Sequence, residues 1–200
     1  MKIFKINPFV QSQLVEAIAL VYQQSFGGEP WNEGFICPVC QSIFALASEF
    51  RICPECIKKE MQINLVKYWP KSKVLSDFYV EMQKPEAICV VAQVDGVVIG
   101  FAWGYKVCAS QDLGIHLEAP GLHQSLEGEF FYLDECAVSP AYQNNGVGKK
   151  LTEYIFQRQK QKYVLARTLK GSQMSSLLIN CGGKIIQKIS RNRVIIQITF

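Results

Sequence analysis

Residues 131–151 combine a strand-like sequence, a glycine-containing turn and the start of a helix. They read FYLDECAVSPAYQNNGVGKKL, and the turn occupies residues 143–148. A helix N-terminus presents amides without intrahelical partners and a partial positive charge, and glycine lets the backbone approach an anion closely. Lys149 adds a full positive charge at the rim of the turn. The stretch therefore predicts a site for a phosphate-bearing ligand.

Two adjacent acids, Asp134 and Glu135, lie near the end of the same strand. A carboxylate beside a bound ligand can take a proton from an attacking group. Because successive strand residues face opposite sides of a sheet, we expect at most one of the two to point into the cleft. The alternative is that both acids only solvate or cap the sheet.

Four cysteines form two C-P-x-C motifs, Cys37 with Cys40 and Cys53 with Cys56, separated by twelve residues. Two such motifs can supply four thiolates to one tetrahedral zinc ion, which suits the pattern better than a disulfide pair or a redox dithiol. A shell of four sulfur ligands leaves no open position. The predicted Zn²⁺ is therefore structural.

The turn matches a known pattern. Val138, Pro140, Gln143, Gly146 and Gly148 fall in the order V-x-P-x-Y-Q-x-x-G-x-G, which is neither a P-loop nor a dinucleotide fingerprint. It resembles the pyrophosphate motif of the GNAT superfamily of N-acetyltransferases, and the resemblance covers most of the chain outside the cysteine motifs. It implies one acetyltransferase domain over residues 1–200 and acetyl-CoA as co-substrate, and the cysteine motifs indicate a zinc-binding insertion within it at residues 34–60.

The resemblance also implies the residues that bind acetyl-CoA. In the family, backbone groups at the end of the strand bind the pantetheine arm and the loop holds the pyrophosphate. The corresponding positions here are Cys136, Ala137, Val138, Gln143, Asn144, Asn145, Gly146, Val147, Gly148 and Lys149.

The resemblance implies direct attack of a primary amine on the acetyl group in a ternary complex. Asp134 is similar to the acid that serves as base in aminoglycoside 6′-N-acetyltransferases, and Glu135 is the second candidate. The family's usual general acid, a tyrosine, is missing, because Leu178 occupies its position. Another group or water would protonate the leaving thiolate.

The segment before the first cysteine motif contains Trp31 and Glu33. This region often borders the acceptor site in the family, so both are candidates for lining the acceptor pocket. The alternative is that Trp31 only packs the insertion onto the domain.

The remaining patterns predict an α/β (α+β) fold, in which helices flank a mixed central sheet that carries a small zinc-knuckle or ribbon insertion. Strand-like runs occupy residues 2–7, 87–94, 97–105, 129–138, 163–168, 184–189 and 193–200, and helical patterns occupy residues 11–26, 71–84, 148–162 and 172–180. The pair Asp95-Gly96 predicts a two-residue hairpin turn.

Composition and charge limit the class of protein. The 200 residues are 49% hydrophobic, yet no apolar run approaches the roughly 20 residues that span a bilayer. The N-terminus lacks a signal-peptide pattern, so we expect a cytoplasmic protein without a membrane partner. Residues 149–200 carry eleven basic residues and one acid, whereas residues 107–148 carry six acids and no basic residue. The acidic stretch predicts a cationic acceptor, either a small-molecule amine or a protein amine.

Two other classes of function fit parts of the sequence. A non-catalytic acyl-CoA-binding or interaction module would account for Leu178, and a zinc-ribbon nucleic-acid binder would use the basic C-terminal quarter. Residues 36–60 carry three basic residues and three acids, so we expect no nucleic-acid partner. His116 and His123 are expected on the surface of a long loop. The sequence leaves the identity of the acceptor and the oligomeric state open.

Overall fold

The structure, a computed structural model, describes residues 1–108, 126, 128–190 and 192–200. Its strands are β1 (Lys2–Lys5), β2 (Phe35–Ile36), β3 (Ile43–Phe44), β4 (Val66–Lys67), β5 (Ile88–Val94), β6 (Val97–Cys108), β7 (Glu129–Val138), β8 (Tyr163–Leu169), β9 (Lys184–Lys188) and β10 (Arg193–Thr199). Its helices are α1 (Ser12–Phe26), α2 (Pro54–Ile57), α3 (Lys71–Glu81), α4 (Val147–Phe156) and α5 (Gln173–Asn180), and Pro140–Tyr142 form a 3-10 turn.

The central sheet has seven strands in the order β1-β5-β6-β7-β8-β10-β9. Only β7 and β8 pair in parallel, so the sheet is mixed, as predicted. The hairpin between β5 and β6 turns at Asp95 and Gly96, whose φ angles of 49° and 80° are both positive. Positive φ at both positions suits a two-residue turn between twisted strands, and the predicted hairpin is confirmed.

The parallel pair of β7 and β8 separates after a short contact. The two strands pair only at Phe131↔Val164 and Tyr132↔Leu165. Both strands continue beyond this contact, β7 to Val138 and β8 to Leu169. The sheet therefore opens between the carboxyl ends of β7 and β8, and this opening determines where the cleft lies.

Helices cover both faces of the sheet. On one face, Ile18 of α1 and Phe78 of α3 pack with Trp103 of β6. On the other face, Leu151 of α4 and Leu178 of α5 pack with sheet residues that include Leu133 of β7. Burial on both faces holds the ends of the central strands in place.

The four-cysteine segment folds as a separate small layer, residues 35–67, here named the cysteine module. It contains a three-stranded antiparallel sheet in the order β3-β2-β4, together with α2. These short strands were not predicted, because two-residue pairings leave almost no periodicity in a sequence. Two backbone hydrogen bonds join the module to the flanking chain, from Leu46 N to Gly27 O (2.7 Å) and from Gly34 N to Phe44 O (3.0 Å).

Two helix ends differ from the sequence analysis. Helix α4 ends at Phe156 rather than at residue 162, since the chain must become extended before β8, and Phe200 N donates to Lys162 O at 3.0 Å. Helix α3 ends at Glu81 rather than at residue 84.

His116 and His123 lie outside the described residues. Within the described residues, no helix has the length and apolar character needed to cross a bilayer.

Candidate active site

A cavity of about 1040 Å³ opens where β7 and β8 diverge. Residues 133–138 of β7 line one side, and Ala166, Arg167 and Thr168 of β8 line the other. The glycine-containing turn also lines the cavity, as do Trp31 and Glu33, which precede the cysteine module in the chain. The fold thus brings the predicted site residues, except Asn145 and the four cysteines, into one continuous cleft.

The turn before α4 is built from backbone conformations that suit an exposed amide cradle. Gly146 has a φ of 72° and precedes the first residue of α4, and Asn144 has a φ of 62°. The side chains of the turn bond to nearby groups: Gln143 Nε2 donates to Val138 O (3.0 Å), and Asn145 Nδ2 donates to Gln143 O (3.0 Å). Because these side chains fold back onto the turn, the helix N-terminus is left open to the cleft.

The space around this turn fits a phosphate-bearing group. A Cβ added at Gly146 would meet no atom within 4 Å, and one at Gly148 would first meet Val138 at 3.8 Å. Lys149 is exposed and lies 3.8 Å from Glu153, a loose pair that leaves the ammonium available. Gln173 Nε2 of α5 donates to Asn144 Oδ1 at 3.0 Å, and this bond connects the turn to α5.

The strand end that should contact the pantetheine arm, at Cys136, Ala137 and Val138, lines the cleft. The carbonyl of Val138 accepts hydrogen bonds from Ser25 Oγ (3.0 Å) and from Gln143 Nε2. Burial raises the pKa of the Cys136 thiol to about 12. Since the thiolate is the nucleophilic form, Cys136 is not a candidate nucleophile.

Asp134 and Glu135 both line the cleft, so the expectation that at most one would do so was wrong. The pairing of β6 with β7 shifts between Trp103↔Glu135 and Gly104↔Leu133, and Asp134 is the extra residue. A one-residue bulge breaks the alternation of strand side chains, and no sequence periodicity reveals it. The bulge places two successive carboxyl groups on one side of β7.

Each of these carboxyl groups has a tyrosine partner. The Tyr22 hydroxyl donates to Glu135 Oε1, and the Tyr105 hydroxyl donates to Asp134 Oδ2, each at 3.0 Å. Burial, with the charges of Asp134 and Glu81 beside it, raises the pKa of Glu135 well above its ordinary value. Glu135 is therefore charged only at higher pH than an ordinary carboxyl group, which makes it a weaker candidate for a base near neutral pH.

A third carboxyl group, that of Glu81, lies close to Asp134 and Glu135 and was not predicted from the sequence. It is the last residue of α3, and Trp103 Nε1 donates to its Oε2 at 2.7 Å. Burial, and the neighbouring charge of Asp134, raise the pKa of Glu81 to about 8. The signal was available, since Val74, Phe78 and Glu81 follow helical spacing and place an acid on the buried stripe of the helix.

These carboxyl groups meet in a second cavity of about 200 Å³ that shares part of its lining with the cleft. Aromatic rings form much of its lining, namely those of Tyr22, Trp69, Trp103, Tyr105 and Tyr132. Among the residues that the structure describes, Arg167 of β8 is the one basic residue that lines it. The arrangement can surround an amine with ring faces while carboxyl groups approach its nitrogen.

Trp31 and Glu33, the two candidates for the acceptor pocket, line the cleft, and both also have structural contacts. Glu33 accepts hydrogen bonds from Trp69 Nε1 (3.0 Å) and Arg193 Nη2 (3.4 Å). Trp31 packs edge-on against Phe26 with ring centroids 5.4 Å apart. Burial raises the pKa of Glu33, although Trp69 and Arg193 oppose the shift.

Leu178 does not face the cleft. Its side chain is fully buried in the core cluster beneath α5, whereas Ser176, Leu177, Asn180 and Cys181 line the cavity. A side chain at position 178 therefore points away from the site of transfer. Ser175 is also buried, and its amide donates to the Ser172 hydroxyl at 3.1 Å, whereas Ser172 and Ser176 line the cavity.

The four cysteines of the module form one cluster. Their Sγ atoms all lie within 4.8 Å of one another, with Cys37 and Cys56 3.6 Å apart and Cys40 and Cys53 3.5 Å apart. Sulfur ligands at about 2.3 Å from a tetrahedral zinc ion would be about 3.8 Å apart. The cluster therefore fits one shared ion, and none of the four cysteines is in a disulfide.

A diverging parallel strand pair, a glycine turn at a helix N-terminus and carboxyl groups along the cleft together define a CoA-dependent acyltransferase fold. The sequence model of the acetyltransferase (GNAT) family matches residues 54–172. That range is more than half of the chain, which therefore belongs to the acetyltransferase (GNAT) family. A comparison with curated proteins finds no match.

Solved structures share the fold at low sequence identity. The PaiA N-acetyltransferase from Thermoplasma acidophilum, in complex with coenzyme A, has 14% identity, a TM-score of 0.53, and coverage of 100% of this chain and 98% of its own. An aminoglycoside 6′-acetyltransferase type Ii has 12% identity, a TM-score of 0.57, and coverage of 100% and 97%. A ribosomal-protein-alanine N-acetyltransferase from Brucella melitensis has 14% identity, a TM-score of 0.53, and coverage of 100% of both chains.

Proposed function

We propose that the protein transfers the acetyl group of acetyl-CoA to a primary amine of a cationic acceptor, by direct attack in a ternary complex. The observation that carries this proposal is the single cleft that joins the glycine turn to Asp134. A phosphate-bearing donor and an amine can then meet without a covalent intermediate on the protein. The raised pKa of Cys136 supports a mechanism without a cysteine nucleophile.

In this proposal the chain's own groups bind, orient and move protons. The backbone of the turn and Lys149 hold the pyrophosphate, while the end of β7 aligns the pantetheine arm. Asp134, oriented by Tyr105, takes a proton from the acceptor ammonium. The freed amine attacks the thioester carbonyl, and the carbon–sulfur bond breaks.

The acceptor class follows from the walls of the cleft. Carboxyl groups at Glu81, Asp134 and Glu135 meet aromatic rings there, and Glu33 lies nearby in the same cleft. Ring faces and carboxyl groups favour an ammonium. We propose a polyamine, an aminoglycoside-like amine, or a lysine or N-terminal amine of a protein. Added salt should lower the rate with cationic acceptors, and an unchanged rate would contradict this acceptor class.

The first test is release of free CoA from acetyl-CoA across a panel of cationic, neutral and anionic amines. We expect release that depends on the acceptor and is greatest for cationic amines. Buffer without protein and protein without acceptor are the controls. If acetyl-CoA binds but no amine in a broad panel causes release, the proposal of catalysis is contradicted.

The second candidate function is a non-catalytic acyl-CoA-binding module, and Leu178 is the observation that favours it. Its burial in the core leaves the family's tyrosine position without a group in the cleft. The carboxyl groups oriented by Tyr22, Trp103 and Tyr105 oppose it, because a binding module needs no aligned base. Binding of acetyl-CoA without turnover would favour this second function.

We also propose that the cysteine module binds one structural Zn²⁺ through Cys37, Cys40, Cys53 and Cys56. The geometry of the sulfur cluster supports this proposal. We also propose that the protein works in a reducing compartment such as the cytoplasm, where thiols persist. Metal analysis of purified protein should give about one zinc per chain. Cys53→Ser should lose the metal, while Cys108→Ser, outside the cluster, should retain it. A metal-free wild type with all thiols reduced would contradict the proposal.

A further inference from the structure

Two carboxyl groups in the second cavity are held by neighbouring side chains of one strand. Trp103 and Tyr105, two residues apart on β6, donate to Glu81 (2.7 Å) and Asp134 (3.0 Å), respectively. The Glu81 and Asp134 carboxyl groups line the same small cavity, and the proximity of Asp134 contributes to the raised pKa of Glu81. Two carboxyl groups held close together resist ionising at the same time, so the pair is arranged to share one proton.

Charged and titratable groups approach this pair from every element around it. Trp103 and Lys84 lower the pKa of Glu81, but burial and Asp134 raise it more strongly. The groups that face the pair are Asp77 and Lys84 from α3 and the turn after it, Tyr22 from α1, Tyr105 from β6, Tyr132 and Glu135 from β7, and Arg167 from β8.

We propose that Glu81 and Asp134 form a single proton-accepting unit, in which Asp134 meets the acceptor amine and Glu81 shares the proton that Asp134 receives. This inference rests on the acetyltransferase function proposed above and extends its mechanism. Glu81 acts through Asp134 and is thus a positioning residue. The bulge in β7 and the end of α3 bring the two carboxyl groups together.

The chemistry of the amine explains why a pair is needed. An alkylammonium has a pKa of about 10, whereas an isolated aspartate has a pKa of about 4, so proton transfer to one carboxylate alone is unfavourable by about six pKa units. The pKa of Glu81 is raised to about 8, which leaves a gap of about two units for the pair. A shared proton therefore makes the carboxyl groups a much stronger base.

The steps balance in protons and electrons. The ammonium gives one proton to the doubly ionised pair, which becomes singly ionised. The amine lone pair then forms the C–N bond, and the electrons of the C–S bond leave on sulfur. The second nitrogen proton ends on the thiolate as the amide and free CoA form, and the pair returns its proton to solvent.

The test is the pH dependence of kcat/KM, measured for wild type, Glu81→Gln and Glu81→Asp. In wild type we expect kcat/KM to rise through an inflection near pH 8. Glu81→Gln should lose that inflection, and its kcat/KM at pH 9 should be at least tenfold lower than that of wild type. Glu81→Asp should keep much of the inflection and of the wild-type kcat/KM. Two acceptors with different amine pKa values separate the inflection of the protein from that of the substrate, since only the former stays fixed.

Asp77→Asn is the matched control. Asp77 lines the same cavity one helical turn earlier, but its carboxylate pairs with Lys73 at 2.6 Å. This variant should keep the wild-type inflection and the wild-type KM for acetyl-CoA. If Glu81→Gln also keeps the inflection, Glu81 takes no part in the base and the inference is wrong.

A readout without turnover separates this inference from the proposed function. The indole proton of Trp103, identified by its loss in Trp103→Phe, should report ionisation of Glu81 in an NMR pH titration. We expect a midpoint near pH 8 that falls in Asp134→Asn, because Asp134 contributes to the raised pKa of Glu81. A midpoint that is unchanged in Asp134→Asn would show that Glu81 and Asp134 do not share a proton. If the midpoint does fall but no amine causes CoA release, the proposed catalytic function, and with it the role of the pair in catalysis, would be wrong while the shared proton would stand.

Discussion

The Tyr105 hydroxyl donates a hydrogen bond to Asp134 Oδ2 across neighbouring strands of the central sheet. Tyr105 pairs with Tyr132 in the β6–β7 register, and Asp134 lies two residues later, in the bulge. The bond aligns the one carboxyl group that the bulge adds to this side of β7. An acid held in one orientation beside an open cleft is the arrangement that a general base requires.

Asp134→Asn should lower turnover by a factor on the order of 10² to 10⁴, which is the usual contribution of a general base. The asparagine retains the size of the side chain and can still accept from Tyr105, so we expect unchanged affinity for acetyl-CoA. Steady-state CoA release and calorimetric binding of acetyl-CoA measure the two quantities. Full turnover in this variant would remove Asp134 from the mechanism.

Glu135→Gln is the comparison for this variant. Because the pKa of Glu135 is raised well above its ordinary value, its neutral form already predominates over a wider pH range. Replacement by a neutral amide should therefore cost less turnover than Asp134→Asn at pH 7. A larger loss than in Asp134→Asn would reverse the assignment of the base between these neighbours.

The stability of the protein should depend on pH through Glu81. Its pKa is about 8 in the folded protein and has an ordinary value of 4.5. Between these values the folded state retains a proton that the unfolded state has released, so the free energy of unfolding falls as pH rises from about 5 to about 8. Glu81→Gln should flatten this fall, as measured by denaturant unfolding at pH 5, 6, 7 and 8.

Part of the slope should remain in Glu81→Gln, since Glu135 also has a raised pKa and contributes with the same sign. Asp77→Asn serves again as the control and should keep the wild-type slope. An identical slope in Glu81→Gln and wild type would mean that Glu81 is ionised in the folded protein at neutral pH.

The elements of the fold were largely predictable from local patterns. The run at residues 129–138 predicted β7 with the observed bounds, and the Asp95-Gly96 pair predicted the hairpin between β5 and β6. The glycine turn before α4 was also predictable, because φ angles and helix starts are encoded within a few residues. The repeated C-P-x-C spacing likewise predicted one cluster of four sulfurs, which is present.

The arrangement of the carboxyl groups was not predictable in the same way. Glu81 and Asp134 are 53 positions apart in the numbering of the chain and meet only through the packing of α3 on the sheet. The bulge at Asp134 depends on the register between β6 and β7, which a single strand does not specify. Strand register and helix packing thus determine how the carboxyl groups are arranged, whereas the local sequence determines the helices and strands that carry them.

The glycine turn offers a test of the co-substrate site. Gly146→Ala should destabilise the protein by about 1 kcal/mol, since its φ of 72° strains a residue with a Cβ. Gly96→Ala provides a matched strain, with a φ of 80° in a hairpin and no atom within 4 Å of the added Cβ. We expect only Gly146→Ala to weaken acetyl-CoA binding, measured by calorimetry. Equal affinity in both variants would argue against a phosphate site at this turn.

Removal of the proposed Zn²⁺ should weaken binding of the acceptor amine more than binding of acetyl-CoA. The cysteine module bonds to Gly27 and Gly34, on either side of Trp31 and Glu33 in the cleft wall. Loss of zinc should disorder this wall and raise the KM for the amine while the KM for acetyl-CoA changes little. Steady-state kinetics of Cys53→Ser, with Cys108→Ser as control, measure both constants. An equal rise in both KM values would indicate general unfolding instead.

Leu178→Tyr should not supply the tyrosine that the family usually has at this position. Leu178 is fully buried in the core cluster with Leu151 and Ile196, and a larger side chain there should cost about 1–3 kcal/mol of stability without raising kcat. Leu177→Tyr is the control, because Leu177 is half-buried, lines the cavity and should accept the ring within about 0.5 kcal/mol. Thermal unfolding and CoA release measure both variants. A higher kcat in Leu178→Tyr at unchanged stability would show instead that position 178 reaches the leaving thiolate.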